Sequence, residues 1–294
     1  MSTRITILGA GAWGRALGTC FENAGHKTTY WRRGDPSNAL HGAKIVIAAV
    51  PAQATREVLS ELVPALPLDV PLVLTAKGLE TGSNLRQSEI ARSICPRAPI
   101  AVLSGPSFAA DLDRGLPTAV TLASKWSHAD TLQSTLATPA LRPYLTDDLT
   151  GAELGGALKN VIAIAAGAAI GARLGESARA ATIARGFAEI VRIGIAAGAS
   201  RDTMMGLSGL GDLTLTCTSS KSRNFSFGVR LGAEGQTQPN ATTEGRLTAR
   251  AAANMATGLD VDTPLINTIA DVVDGRLGVR KAVEALISRP LRRE

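Results

Sequence analysis

Residues 153–173 read ELGGALKNVIAIAAGAAIGAR, and their composition does not suit a surface helix. Val161 to Ala172 carries no charge and is mostly aliphatic, and it is shorter than the roughly 20 residues that span a bilayer. A surface helix keeps a polar stripe. Because this run has none, we expect a helix that is buried on nearly all sides. Its many Ala and Gly residues indicate that other elements approach its backbone closely.

Lys159 and Asn160 are unusual residues to head such a helix. Helical side chains lean toward the N-terminus. Lys159 is therefore expected to lie over Gly155 and Gly156, where substrate would meet no side chain. The alternative is a lysine whose ammonium group reaches solvent from the helix end. Taken alone, the segment favours that alternative.

Length and composition indicate a globular protein of two domains. The chain has 294 residues, of which 45% are hydrophobic and 19% charged. The net charge of +6 suits an anionic ligand, but Lys and Arg form no long run, so a nucleic-acid partner is not expected. The three cysteines form no CxxC pair and the three histidines lie apart, which favours neither a disulfide framework nor a metal site. The first eight residues read as a strand rather than a signal peptide, so we expect a cytoplasmic protein.

A glycine-rich turn follows the first predicted strand. Ile5 to Leu8 leads into GAGAWG and then into a predicted helix, Arg15 to Ala24. In this context GxGxxG predicts a dinucleotide site, in which Gly9 permits the tight turn, Gly11 admits a pyrophosphate and Gly14 allows close helix–strand packing. The helix N-terminus would hold the anion. The alternative is a glycine-rich turn without a ligand.

The second predicted strand, Lys27 to Trp31, ends in two arginines. NAD-specific folds usually place an acidic residue here for the ribose hydroxyl. Arg32 and Arg33 would instead attract a 2′-phosphate, so NADPH is expected to be accepted and to be preferred. Asp35 lies slightly further on, so the choice between NADPH and NADH stays open. The alternative is that Arg32 and Arg33 are solvated loop residues that bind no cofactor.

Strands and helices alternate up to residue 150, which predicts a Rossmann-like, doubly wound α/β sheet. In such sheets ligands lie beyond the carboxyl ends of the strands. Four segments are expected to meet there: GAGAWG, Pro51, Lys77 and the turn at 104–107. The other predicted elements are strands at 45–50, 70–75, 100–103, 118–123 and 143–145, and helices at 53–62, from Ser83 to Ile94 and at 128–136.

From Thr150 onward the pattern is helical only. The sequence therefore predicts a dinucleotide-binding domain over residues 1–150 and an all-α, substrate-binding and catalytic domain over residues 151–294. Helices are expected at 177–198, 243–257, 264–274 and 279–288, with a glycine-rich connection at 206–213.

Three features of the second half indicate catalytic or ligand-binding residues. Lys159, together with Lys77, could polarise a carbonyl oxygen, which beside NAD(P) suggests hydride transfer to a ketone. Asp212 could accept a bond from a substrate hydroxyl, or it could bond its own turn. The group Ser222-Arg223-Asn224 could hold a phosphate at a helix start, or it could cap a surface helix.

Six motifs together resemble the bacterial NAD(P)-dependent sn-glycerol-3-phosphate dehydrogenases: GAGAWGRAL, TAKGLE, AVLSGPSFA, ELGGALKNVIAIAAG, GLSGLGDLTLTCTS and SRNFSFG. The resemblance covers most of the chain and implies reduction of dihydroxyacetone phosphate to sn-glycerol 3-phosphate for phospholipid synthesis, in a homodimer. It implies that Lys159 is the catalytic lysine. The implied substrate contacts are Lys77, Gly105, Ser107, Asp212, Ser222, Arg223 and Asn224, and the implied dinucleotide contacts are Trp13, Arg33, Lys77, Ala109, Arg223 and Glu244.

In the implied mechanism Lys159 protonates the developing alkoxide, Lys77 stabilises it and Arg223 anchors the phosphate. Neighbouring Lys77 would favour the neutral Lys159 that the reverse reaction needs.

The chain departs from the family pattern in two places. Residues 34–44 form a shorter connection than is usual in the family, which affects the adenine end of the cofactor site, and Thr242 replaces an apolar residue.

Two rival functions stay open at this level. One is a β-hydroxyacid or ketopantoate reductase, which shares the two-domain plan and a catalytic lysine. The other is a dinucleotide-binding regulator without turnover.

Overall fold

Seven strands form one sheet in the N-terminal half of the computed structural model, which describes residues 2–235 and 243–288. Thr242 lies outside these residues. Short apolar runs such as Ile45–Ala48 are buried on both faces, as strands covered by helices on each side must be. The strands are β1 Arg4–Leu8, β2 Lys27–Trp31, β3 Ile45–Ala48, β4 Leu72–Leu74, β5 Ile100–Ser104, β6 Thr118–Ser124 and β7 Leu141–Thr146.

The strand order is β2-β1-β3-β4-β5-β6-β7. The first five strands in this order run parallel, which confirms the predicted doubly wound sheet. β6 returns antiparallel to β5, and β7 is parallel to β6. The chain passes from β1 to β2 on one side and then crosses back to β3 on the other side of β1, so the strand order reverses at β1. The turn after β1 therefore lies at a topological switch point, where sheets of this type bind ligands.

Five helices accompany the sheet and eight follow it within the described residues. Apolar clusters fill both faces of the sheet, and a third cluster fills the helical half. The first five are α1 Ala12–Asn23, α2 Thr55–Leu62, α3 Gln87–Ile94, α4 Ala109–Asp113 and α5 Ala129–Leu136. The later eight are α6 Leu149–Gly171, α7 Gly175–Ala196, α8 Arg201–Met205, α9 Asp212–Thr218, α10 Arg223–Glu234, α11 Glu244–Gly258, α12 Pro264–Val273 and α13 Val279–Ile287.

The small residues of α6 allow another helix to touch its backbone, as the sequence predicts. A Cβ on Gly167 would collide with the carbonyl oxygen of Phe225 in α10. A Cβ on Gly228 of α10 would collide with the carbonyl oxygen of Ile164 in α6. The two helices therefore pack backbone to backbone.

The central helix is longer than its apolar run. It begins at Leu149, so Lys159 lies in its middle rather than at its head. Among the described residues it is the one helix long and apolar enough to cross a membrane, but 89% of its most apolar window is buried inside the protein. Such burial is typical of the core helix of a folded domain.

Two local predictions differ from the structure. Ser83 does not cap the following helix; it bonds Glu80 and accepts the Leu85 N–H, and α3 begins at Gln87, where Glu89 accepts the Arg86 N–H at 2.8 Å. The segment 206–213 is not an open connection, because residues 207–211 form a π-helical turn that continues into α9. The domain division at residue 150 stays a prediction; the chain passes from β7 into α6 at Asp148.

Candidate active site

The turn after β1 has the geometry that pyrophosphate binding needs. Gly9 has φ +101°, and a Cβ there would lie 2.7 Å from the Ala49 carbonyl oxygen. A Cβ on Gly14 would collide with the Gly9 carbonyl oxygen, so Gly14 lets α1 pack against the turn. A Cβ on Gly11 would meet nothing within 4 Å. No side chain caps α1, whose first N–H groups face this open space.

Trp13 adds an unused donor to the same turn. Its indole Nε1 is buried and has no hydrogen-bond partner among the residues that the structure describes. A buried donor without an acceptor costs about 1–3 kcal/mol, which a ligand acceptor would recover. The open space over Gly11 and this indole fit a dinucleotide; that Gly9, Gly11, Trp13 and Gly14 bind it stays a prediction.

The arginines at the end of β2 lie in a fixed turn. Asp35 accepts the Arg32 N–H at 2.8 Å, and its carbonyl oxygen accepts the Trp31 indole N–H at 2.9 Å. Both guanidinium groups are exposed, and Nη2 of Arg33 lies 3.2 Å from Oε2 of Glu57. Asp35 therefore stabilises the turn, while Arg32 and Arg33 face solvent beside the switch point.

Two lysines meet on one carboxylate beyond the carboxyl ends of β4 and β5. Asp212, which is 1% exposed, accepts from Lys77 Nζ at 2.9 Å through Oδ2 and from Lys159 Nζ through Oδ1. Lys77 also donates to the Gly105 carbonyl oxygen at 2.8 Å and lies 3.4 Å from the Ser107 hydroxyl. Asp212 thus does not lie in an open loop: it begins α9, and besides the two lysines it contacts Thr216 Oγ1 of the same helix at 3.4 Å. It holds one lysine from each half of the chain.

Lys159 does not reach solvent. It is 6% exposed, and its ammonium group donates to Thr216 Oγ1 at 2.8 Å as well as to Asp212. Burial lowers its pKa to about 8; Asp212 opposes this shift, and Lys77 adds to it. Burial, rather than the repulsion by Lys77 that the sequence suggested, is the main cause. A lysine with this pKa exchanges its proton near neutral pH.

Gly155 and Gly156 serve packing rather than room for substrate, so the sequence-based interpretation of them is wrong. A Cβ on Gly155 would lie 2.7 Å from the Ser208 carbonyl oxygen and 2.8 Å from Gly209 Cα. A Cβ on Gly156 would collide with the Ser104 hydroxyl. The two glycines let α6 touch the π-helical turn and the end of β5. They thereby bring Lys159 to Asp212.

An amide chain links four segments around the lysines. The Gly245 N–H donates to Asn224 Oδ1, Asn224 Nδ2 donates to Asn160 Oδ1, and Asn160 Nδ2 donates to the Lys77 carbonyl oxygen, at 2.9, 2.9 and 3.0 Å. Asn224 is 8% exposed and Asn160 5%. The predicted substrate residue Asn224 therefore also has a structural role, since it orients Asn160, which holds the backbone of Lys77.

The start of α10 lies beside the start of α11. Ser222 caps α10 by accepting the Phe225 N–H at 3.2 Å, and Arg223 is exposed at the first helical position. Burial raises the pKa of Glu244, while the Ala52 N–H and the charge of Arg223 lower it. Oε2 of Glu244 is buried without a partner in the part of the chain that the structure describes. The positive charge of Arg223 therefore stabilises the ionised form of Glu244.

The predicted site residues thus form three groups. One is a centre whose members contact one another; the other two are the glycine-rich turn with the arginines that follow β2, and the neighbouring starts of α10 and α11. Lys77, Gly105, Ser107, Lys159 and Asp212 make the centre, and Ala109 begins α4 close by in sequence. Their roles stay predictions.

Sequence reasoning missed Thr216 and the structural use of Asn160. The available signal was the spacing of Asp212 and Thr216, because residues four apart share a helix face.

No metal site was predicted. Within the described residues no group of three or more His, Cys, Asp or Glu side chains is arranged to hold a metal ion. Cys20, Cys95 and Cys217 are free and buried. Burial raises the pKa of the Cys217 thiol to about 12, so this neighbour of Lys159 stays protonated.

Comparison with known protein families covers both halves of the chain. The family model described as the NAD-dependent glycerol-3-phosphate dehydrogenase N-terminus matches residues 4–35 and 33–130, and the corresponding C-terminus model matches residues 148–284. The chain belongs to this family. Membership makes NAD(P) its cofactor and an oxidoreductase its class, as the motifs predicted.

Similar proteins include two bacterial relatives and one solved structure. A glycerol-3-phosphate dehydrogenase, NAD(P)+, from Chelativorans sp. is 46% identical over 321 residues, covering 99% of this chain and 98% of the relative. One from Brucella ovis is 44% identical over 325 residues, and the alignment covers 100% of this chain and 100% of the relative. The crystal structure of glycerol-3-phosphate dehydrogenase from Coxiella burnetii superposes with TM-score 0.92 at 31% identity, covering 98% of this chain and 99% of that one.

The same comparisons bear on the connection at 34–44. The two N-terminal matches overlap at residues 33–35, where this connection begins. The alignment with the Brucella ovis dehydrogenase spans 325 residues, whereas this chain has 294. The relative therefore carries residues that this chain lacks.

Proposed function

We propose that this protein catalyses the reversible NAD(P)H-dependent reduction of dihydroxyacetone phosphate to sn-glycerol 3-phosphate. The observation that carries the proposal is the convergence of Lys77 and Lys159 on Asp212, at the carboxyl edge of a dinucleotide-binding sheet. Family membership supports the substrate. The match of both halves to one family disfavours the ketopantoate and β-hydroxyacid alternative.

Lys159 is proposed as the proton donor to the substrate oxygen. A reduced nicotinamide, when bound, would supply the hydride to the ketone carbon. With a pKa of about 8, Lys159 is mostly protonated at pH 7 and can donate its proton to the alkoxide as that charge develops. In the oxidative direction the neutral amine takes the proton back. The reductive rate should therefore fall, and the oxidative rate rise, as pH increases through about 8.

Lys77 and Asp212 are proposed to set the electrostatics of this step. Lys77 is 19% exposed and lies beside Ser107, so its ammonium group can face the same oxyanion and stabilise it. Asp212 opposes the lowering of the Lys159 pKa by burial and so favours the protonated lysine. Thr216 fixes the direction of the Lys159 ammonium group by a second hydrogen bond.

Ser222 and Arg223 are proposed to bind the substrate phosphate. An exposed arginine at the first position of α10 combines a guanidinium fork with the positive end of the helix dipole. Binding remote from the reacting carbon contributes to the rate when the anchored group orients the ketone. Removing the phosphate should therefore lower kcat as well as raise KM.

NADPH is proposed as the preferred cofactor. Arg32 and Arg33 follow the strand beside the glycine-rich turn, and Asp35 is engaged by the Arg32 backbone. Two exposed guanidinium groups favour a 2′-phosphate over a free ribose hydroxyl.

The proposal is tested by following NADPH and NADH oxidation with three substrates: dihydroxyacetone phosphate, dihydroxyacetone and ketopantoate. We expect turnover with the phosphorylated ketone, at least about 100-fold lower kcat/KM without its phosphate, and none with ketopantoate. Preference for ketopantoate would refute the assignment. Cofactor binding without turnover of any ketone would support the regulator alternative.

We also propose a cytoplasmic homodimer that feeds phospholipid synthesis, on the strength of the family resemblance. Light scattering of the purified protein should give about twice the chain mass of 30.4 kDa. A monomeric mass would contradict the assembly, and recovery in the membrane fraction would contradict the location.

A further inference from the structure

Glu57 lies against one of the two arginines that are proposed to bind the cofactor. It is in the first turn of α2, and its Oε2 is 3.2 Å from Nη2 of Arg33. The two side chains are 62% and 66% exposed, so both are accessible to a ligand. Arg32, in the same turn, has its guanidinium group in solvent.

The position of Glu57 is fixed by its neighbours along α2. Arg56 donates from both Nε and Nη2 to the Glu80 carboxylate, each at 2.8 Å. This two-point pair ties the start of α2 to the segment that follows Lys77. The turn that carries Arg32 and Arg33 is held by Asp35, which accepts the Arg32 N–H. The carboxylate of Glu57 therefore faces the arginine turn from an anchored helix.

We propose that Glu57 is a specificity-determining residue that reduces the preference of this enzyme for NADPH over NADH. The inference rests on the proposed binding of the 2′-phosphate by Arg32 and Arg33. To bind that phosphate, Arg33 must leave Glu57, and the carboxylate then lies beside a group of about −1.5 to −2 charge. NADH has no such phosphate and does not compete for Arg33.

The size of the effect follows from the exposure of the pair. An exposed ion pair contributes at most about 1 kcal/mol, which corresponds to about fivefold in affinity. Glu57→Gln should therefore lower the Kd for NADPH about three- to fivefold at low salt and leave the Kd for NADH nearly unchanged.

The experiment is a titration of each variant with NADPH and with NADH, read by cofactor fluorescence so that no turnover is needed. Glu61→Gln is the matched control, because Glu61 is an exposed glutamate one turn further along α2. Arg33→Ala and the double variant Glu57→Gln, Arg33→Ala complete a cycle. We expect the NADPH-specific gain only with Glu57→Gln, and only when Arg33 is present.

Three outcomes would overturn the inference: an equal change for both cofactors, the same gain with Glu61→Gln, or a gain that persists without Arg33. If the unmodified protein binds both cofactors and the Glu57→Gln ratio is unchanged, this inference alone fails. If it binds neither cofactor, the proposed function fails together with it.

Discussion

Asp212→Asn removes the one charge that both active-site lysines share. Asparagine has nearly the same shape, so the substitution removes the charge without opening a cavity. Because Lys77 donates to Oδ2 and Lys159 to Oδ1, the single amide oxygen can accept from only one of them. Burial already holds the Lys159 pKa at about 8 against the opposing effect of Asp212. Without the carboxylate, burial and the positive charge of Lys77 act in the same direction and lower that pKa further.

The magnitude follows from the contact distances. Two unit charges at 4 Å interact by about 4 kcal/mol at an effective dielectric constant of about 20. Asp212 lies 2.9 Å from Lys77 and directly contacts Lys159. If the amide oxygen retains half of that interaction, the loss is about 2 kcal/mol, or about 1.5 pKa units. The Lys159 pKa in the variant then lies below the value of about 8 that it has in the unmodified protein.

The assay is the pH profile of NADPH oxidation with saturating dihydroxyacetone phosphate. The proton donor is the charged lysine, so the rate falls as pH rises through its pKa. From the protonated fractions alone, we expect Asp212→Asn to lose about fourfold at pH 7 and about fifteenfold at pH 8, and to recover below pH 6. Asp113→Asn, an exposed acid on α4, is the control and should keep the original profile.

An unshifted break near pH 8 in Asp212→Asn would refute this account of the lysine. If the rate fell by the same factor at every pH, Asp212 would act only by positioning the lysines and not through its charge.

Three further predictions follow from the glycines and from a buried carboxylate. Gly155→Ala should destabilise the protein by about 1–3 kcal/mol in denaturant unfolding, because the new Cβ meets the π-helical turn. Gly258→Ala, where a Cβ meets nothing, should be neutral or stabilising by up to about 1 kcal/mol, and equal stability of these two variants would contradict the packing role. Gly11→Ala should leave the melting temperature unchanged but weaken NADPH binding by at least about tenfold in a fluorescence titration, since its Cβ occupies only the open space; unchanged affinity would place the pyrophosphate elsewhere. Glu153→Ala should cost about 3–5 kcal/mol of unfolding free energy, because it strips Arg86 and the Ser88 N–H of a buried partner; a loss below about 1 kcal/mol would contradict this.

The predictable parts of this protein depend on local chemistry or on sheet topology. The packing roles of Gly9 and Gly14 are predictable because a turn between a strand and a helix leaves no space for their Cβ atoms. Lys77 and the turn at 104–107 were expected together because the carboxyl ends of parallel strands share one edge. These inferences need only the residues and the strand directions.

The unpredicted parts depend on which distant segments meet. The roles of Gly155 and Gly156 could not be inferred without knowing that the π-helical turn and Ser104 lie against them. The burial that lowers the Lys159 pKa comes from packing across the whole helical half. The Asn160–Asn224 chain joins positions 64 residues apart, which no local pattern encodes.

The pairing of Lys159 with a phosphorylated ketone is tested most directly by single-turnover oxidation of bound NADPH by dihydroxyacetone phosphate at pH 7. Lys159→Met keeps an unbranched side chain that is one atom shorter and has no proton to give. We expect it to lower the single-turnover rate by about 100-fold or more while the Kd for NADPH changes little. A rate close to that of the unmodified protein would contradict the central role of this lysine.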